Sequence, residues 1–291
     1  MTSPTSSSSA VGARGARPVE GRSLPEWQRF RFPQSLYKYG WLLASLAFIW
    51  WALDVLRIDV ERLPGIFERL GTVLANRYWP PDLNRINQPD FLASVVDTFQ
   101  MSYVATVVGL LLAVPLAWFA SFNMTPSRQL LYPVCRLVVM ACRSVHEMIW
   151  TIVLVAIVGF GMLPGTLAMT LFCIGFGGKL MAEAIEAIRK GPVEAIRATG
   201  AGHLKVFVYA VLPQVRVAWA GIAIYTWDVV FRASTVVGFF GAGGMGHYLR
   251  ESVQRVESRE VSAIILTIVA IVIVAELFSA WVRSRIARAL A

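Results

Sequence analysis

The chain has 291 residues, 56% of them hydrophobic and only 15% charged, with a formal net charge of +9 and a mean hydropathy of +0.59. Soluble domains run at about 45–50% apolar and about 25% charged residues, so this composition argues against a soluble enzyme and for a membrane protein. The positive charge is spread mostly between apolar stretches rather than gathered in one patch, which argues against a nucleic-acid partner.

In chain order, the opening MTSPTSSSSAVGARGARPVEGRS is rich in Ser, Gly and Arg and holds no apolar run. Residues 1–35 therefore read as a disordered basic tail rather than a signal peptide. Six candidate spans follow, over 41–56, 91–122, 130–160, 163–180, 215–240 and 261–282. A helix needs about 20 mainly apolar residues to cross the hydrocarbon, and the longest of these must tilt or run on beyond the bilayer. Between the first two, Ile66, Phe67, Leu70, Val73 and Leu74 recur at helical spacing among charges, which describes an interfacial helix ahead of a Pro-rich turn. The expected divisions are a first span with its interfacial helix over 36–90, a five-helix domain over 91–284 with an inner loop at 183–214, and a short tail over 285–291.

Lys and Arg are in excess on one side of these spans. That side holds Arg29, Arg31 and Lys38, then Arg128 and Arg136, then the run from Lys179 to Arg216, then Arg283, Arg285 and Arg288. On the other side Arg57, Arg62, Arg69, Arg77 and Arg85 are largely balanced by acids, leaving Arg250, Arg255 and Arg259. The positive-inside rule then places both termini and the 183–214 loop in the cytoplasm.

Cys135, Cys142 and Cys173 lie in apolar segments without CxxC spacing or paired His. They read as packing residues, and neither a disulfide framework, a metal site nor a cofactor is expected. Charges inside spans are more informative, because each costs roughly 2.5–3.5 kcal/mol on insertion scales and so faces a partner or a cavity. Arg143 and Glu147 stand one helical turn apart in the third span, and Asp228 and Arg232 likewise in the fifth. Each pair reads either as self-neutralising or as lining a path. His146, beside the first pair, reads as a satisfied core residue, and Asp97 and Glu276 as packing residues. Arg232 is followed by Ser234 and Thr235, and a guanidinium fork with two hydroxyl donors suits a tetrahedral oxyanion.

GAGGMG, from Gly241 to Gly246, matches the G-x-G-x-x-G spacing of dinucleotide sites, with Glu260 about twenty residues on. A Rossmann unit needs a second strand there, whereas VSAIILTIVAIVIVAELFSAWV is too long for one and fits a membrane helix. GFGGKL likewise lacks the first glycine and the Ser or Thr of a phosphate loop. Gly241, Gly243, Gly244 and Gly246 instead suggest a tight re-entrant element at the outer end of the fifth span.

The inner loop reads AEAIEAIRKGPVEAIRATGAGHLKVFVYAVLPQV. Glu183 to Arg189 favours helix, Gly191 and Pro192 break it, and Val193 to Thr199 forms a second short helix ending at Gly200. It is either an ordinary loop or a helix offered to a partner's groove.

The stretch EAIRATGAGHLKVFVYAVLP resembles the EAA loop of binding-protein-dependent ABC importer permeases. Glu194, Ala195, Gly200, Leu212 and Pro213 stand at that motif's spacing, with Ile196 inside it. The resemblance implies a coupling helix that seats in a cleft of a separate ATPase subunit, and no Walker A motif occurs in this chain. With CRSVHEMIW, GKLMAEAIEAI and FRASTVVGFFGAGGMG, the chain from Phe91 onward is similar to the permease of phosphonate-type ABC importers. It departs from that pattern at His146, where the family usually has Pro, and at Val230 and Phe231, where Asn-Val is typical.

The implied protein is all-α and polytopic, with about six transmembrane helices in the type I ABC importer permease fold, set in the bacterial inner membrane. One EAA loop per chain implies a homodimer with two ATPase subunits, served by an extracytoplasmic substrate-binding protein. The implied cargo is phosphonate, phosphate or a related phosphorus oxyanion, on which no chemistry is done; a permease of the same fold for methionine or another small solute is the alternative. Coupling then falls to Glu194, Ala195, Ile196, Gly200, Leu212 and Pro213. The substrate pathway falls to Arg232, Ser234, Thr235, Arg143, Glu147 and Asp228, and the outer gate to the four glycines.

Overall fold

The computed structural model describes residues 34–56 and 65–290, with side chains over 36–56 and 65–286. The tail expected over 1–35 lies almost wholly outside the described residues, as do Arg57 and Arg62. Contacts divide the chain into a unit ending at Ile66 and a unit starting at Phe67. The first contributes α1 (Gln34–Val55), whose Leu, Phe and Trp side chains are exposed along its length.

The second unit runs through α2 (Ile66–Val73), α3 (Pro89–Phe119), α4 (Leu131–Ser144), α5 (Glu147–Val158), α6 (Met162–Glu186), α7 (Lys190–Ala198), α8 (His203–Val206), α9 (Leu212–Val237), α10 (Met245–Gln254) and α11 (Ser258–Leu290). π-Helical turns over Leu74–Tyr78, Phe207–Val211 and Gly238–Ala242 extend α2, join α8 to α9 and end α9. The all-helical expectation holds over the described residues, and α2 forms where the apolar spacing places it.

Among the described residues, four helices are long and apolar enough to cross a membrane, or five if α4 and α5 count as one bent span. The first expected span, at α1, is not among them, because Lys38 and Asp54 bracket its apolar run. Nor is the third a straight helix: α4 and α5 meet at 88°. Val145 and His146 between them are extended, and His146 Nδ1 accepts the Met148 N–H at 3.3 Å. The chain breaks here without the family's proline because the imidazole serves as an N-cap and satisfies an orphan donor of α5.

α6 is the centre of the bundle, packed on α3, α4, α5 and α9. Its most apolar window is 61% buried, against 17% for α11, so α6 is core and α11 is outward-facing. In lipid, apolar burial gives helices little reason to associate, so close van der Waals packing of small residues must do it. Gly109 of α3 accordingly lies directly against Cys173 of α6, and the α6 glycines Gly175 and Gly177 face α4 and α3. One apolar cluster, with Ala117, Met181, Ile185, Val211 and Trp219, fills the end near α7. A second, with Met101, Met169, Cys173, Val230 and Val237, fills the end near α10.

Candidate functional site

At the α7 end, α6 stops at Glu186 and Arg189 becomes the N-cap of α7. Gly191 and Pro192 therefore do not separate two helices; they lie in the first turn of α7. Proline needs no N–H there, since first-turn donors have no intrahelical partner, so the break falls at Ala187–Arg189 instead. Val193 is buried and Ile196 half-buried against the core, so these two fix the helix. Glu194 and Ala195 are exposed, as is Gly200, whose φ of +79° ends the helix in the left-handed region with open space where a Cβ would lie. Leu212 and Pro213, also exposed, open α9.

A residue just outside the motif clamps this end. Gln214 accepts the Arg189 N–H at 3.1 Å and donates to the Arg189 carbonyl at 3.4 Å and the Ala210 carbonyl at 2.7 Å. A polar side chain one residue past the motif's proline was the available signal. Nearby, Glu186 accepts the Phe122 N–H at 3.1 Å and Asn123 Nδ2 donates to the Ile185 carbonyl at 2.9 Å, tying the α3–α4 connection to the end of α6.

Among the in-span charges, Asp228 and Arg232 do pair one turn apart on α9, at 2.9 Å, with Asp228 buried and Arg232 facing outward. The two hydroxyls beside them turn to their own helix. Ser234 Oγ donates to the Phe231 carbonyl and Thr235 Oγ1 to the Arg232 carbonyl, each at 2.7 Å, and both residues are buried. Their protons are spent on their own helix, the usual local competition for Ser and Thr. Arg143 and Glu147 are not one turn apart on one helix either, because the 88° break falls between them. Arg143 is exposed in the last turn of α4, while Glu147, in the first turn of α5, lies 3.5 Å from His146 Nδ1. While that nitrogen accepts the Met148 N–H it carries no proton, so this contact is not an ion pair. His146 itself is exposed, not a core residue.

At the α10 end the glycine stretch folds the chain back onto α9. Gly241, Gly243 and Gly244 have φ of +105°, +80° and +68°. Gly246, in the first turn of α10, lies against the Thr235 carbonyl oxygen and would place a Cβ 2.5 Å from the Phe239 nitrogen. Only a residue without a side chain allows that approach. The turn is held by two bonds that sequence alone does not disclose. Thr98 Oγ1 of α3 accepts the Met245 N–H at 2.9 Å, and the Gly161 N–H donates to the Gly241 carbonyl at 3.1 Å.

The segment after α2 is fastened to the same end. Arg85 pairs with Glu251 at 2.7 Å, Arg77 Nε donates to Ser258 Oγ at 3.1 Å, and the Asp82 N–H donates to the Arg259 carbonyl at 3.2 Å. Burial, and then the charge of Asp90, push the Tyr248 phenol above its usual range. Among the described residues no three His, Cys, Asp or Glu side chains converge on a possible metal ion.

The family described as "binding-protein-dependent transport system inner membrane component" matches residues 106–290. The chain is 42% identical over 210 residues to the phosphite transport system permease protein PtxC of Stutzerimonas stutzeri, covering 72% of this chain and 75% of that one. It is 37% identical over 221 residues to the phosphate-import permease protein PhnE of Mycolicibacterium smegmatis, covering 76% of this chain but 41% of the relative. Among solved structures, a chain of the inward-facing MetNI methionine ABC transporter aligns with a TM-score of 0.59 at 20% identity, over 67% of this chain and 95% of that one. A chain of a bacterial ABC transporter for alginate import aligns at 0.56 and 15% identity, over 87% and 98%. At those identities the likeness is one of fold.

Proposed function

The chain belongs to the family of binding-protein-dependent transport system inner membrane components, and from that premise we propose that it is the membrane permease of an ABC importer carrying phosphite, phosphate or phosphonate into the cytoplasm. The observation that carries the reading is α7, a short amphipathic helix held by Val193 and Ile196 with Glu194, Ala195 and Gly200 turned outward. A helix anchored on one edge and free on the other is built to seat in a partner's groove.

On this reading the partner is an ATPase on a separate subunit, and two permease chains meet two ATPases. The α7 end and both termini are cytoplasmic, and the α10 end receives a substrate-binding protein. Arg232, with Asp228 balancing its charge, stands on the substrate path of α9, and Arg143 and Glu147, which flank the α4–α5 bend, contribute to it. The glycine turn walls the outer gate. Transport is then a shift between outward-open and inward-open arrangements, biased by nucleotide and by the binding protein. The names of the Stutzerimonas and Mycolicibacterium relatives support an oxyanion cargo, while methionine rests on a likeness of fold alone.

The test is uptake by proteoliposomes holding the permease, its ATPase and its binding protein, supplied separately with phosphite, phosphate, methylphosphonate and methionine. ATP-dependent accumulation of at least one phosphorus oxyanion, and none of methionine, is expected. Methionine uptake without oxyanion uptake would sink the assignment.

A further inference from the structure

One of the cations at the α10 end, Arg250, stands in a cleft. His247, Arg250 and Gln254, at i, i+3 and i+7 of α10, line a cleft of about 550 Å3 whose other wall includes Phe160, Gly161 and Gly243. Glu251 borders the same cleft, but Arg85 at 2.7 Å and Arg255 at 2.5 Å occupy its carboxylate. Among the described residues no carboxylate pairs with Arg250. Arg250 is half-buried, and its guanidinium carbon lies 5.9 Å from the centre of the Phe160 ring. A guanidinium held this way keeps its planar donor fork for an arriving anion.

Arg250 also borders a second cleft, of about 670 Å3, whose walls are apolar: Ile152, Val155, Ala156, Phe160, Phe239 and Phe240. Phe239 and Phe240 meet edge to face at 5.7 Å, and the Phe160 ring lies over Gly241. Arg232 and Val236 share one face of α9, and Phe239 follows in the π-helical turn that ends it, so Arg232 stands seven residues, about 10 Å of helix, before the ring-bearing turn. From α9 to α10 the order is Arg232, the ring cluster, Arg250.

We infer that Arg250, with His247 and Gln254, forms an outer binding station for a phosphorus oxyanion, and that Phe160, Phe239 and Phe240 form an apolar constriction between it and Arg232. The inference rests on the transport reading, with the α10 end as the outer mouth. A tetrahedral oxyanion takes the arginine fork, the Gln254 amide and the His247 imidazole as donors. Phenyl rings cannot replace the water it sheds, so the anion stays at Arg250 until the rings part.

The test uses the whole transporter in proteoliposomes at saturating binding protein, with inorganic phosphite and inorganic phosphate as probes. Arg250→Gln is expected to cut uptake about tenfold, the loss of one charge-assisted contact, and Arg250→Lys to retain most of it. The binding-protein concentration that half-stimulates the ATPase is expected to stay the same in both. On folded complexes carrying Arg250→Cys, attaching an ethylammonium group by methanethiosulfonate should raise uptake and attaching an ethylsulfonate should not. Because one preparation serves both arms, a folding loss cannot imitate this result; the unaltered transporter controls for Cys135, Cys142 and Cys173.

Unchanged uptake in Arg250→Gln, or equal responses to the two reagents, overturns the inference. So does normal uptake at saturation with a shifted half-stimulation, which would make Arg250 a docking contact for the binding protein. If the unaltered complex hydrolyses ATP yet takes up neither probe, the transport reading itself fails, an outcome read without any variant.

Discussion

At one end of the bundle α7 hangs by Val193 and Ile196, and a side chain added at Gly200 would meet nothing within 4 Å. At the other, a side chain added at Gly246 would collide with the carbonyl oxygen of Thr235. Both regions are short helices beside a glycine with a fixed task, and roughly 35 Å of α6 separates them. The α7 end spends its glycine on stopping a helix at a surface, while the α10 end spends its glycines on bringing backbones into contact. Substitutions at the first should therefore report on a partner, and substitutions at the second on the fold.

The largest effect is expected from Gly246→Ala. Its methyl has only backbone to displace, so the penalty is that of an overpacked core, about 3 kcal/mol. The melting temperature of the detergent-solubilised protein should fall and assembled protein be lost; an unchanged melt would remove the close-packing argument. Thr98→Val comes next, since it leaves the buried Met245 N–H without its acceptor, at a cost of about 2 kcal/mol. Thr98→Ser should recover most of the loss, and equal melting of the Val and Ser variants would show that the hydroxyl holds nothing. Gly200→Trp should cost least in stability, about 1 kcal/mol for a non-glycine residue in the left-handed region. Yet it should uncouple ATP hydrolysis from uptake, measured together in proteoliposomes. Normal coupling there would make α7 an ordinary surface helix.

Much of this was legible before any coordinates. The helices at α3, α6, α9 and α11 follow from long, mainly apolar runs, because a chain in hydrocarbon must satisfy its backbone internally. The α2 spacing, the stop at Gly200 and the Asp228–Arg232 pair were also legible, all being interactions within a few residues. Other features were hidden for the opposite reason. The apolar run over 130–160 gave no sign of its 88° bend, because His146 carries no mark of a cap in its spacing. Ser234 and Thr235 looked like free donors because a residue list does not say which way a hydroxyl turns.

By itself, then, the sequence determined the solvent in which this protein lives, most of its helices, and which loop resembles a coupling element. Those follow from run length, local capping and a motif. Tertiary structure alone decided that Gln214 grips Arg189 from 25 residues away and that Thr98 receives Met245 from 147 residues away. It also decided that Arg250 faces a cleft whose carboxylate, Glu251, is taken by Arg85 and Arg255. Hydrogen bonds and unpaired charges across such distances depend on how helices pack. Packing leaves no periodic trace in the order of residues.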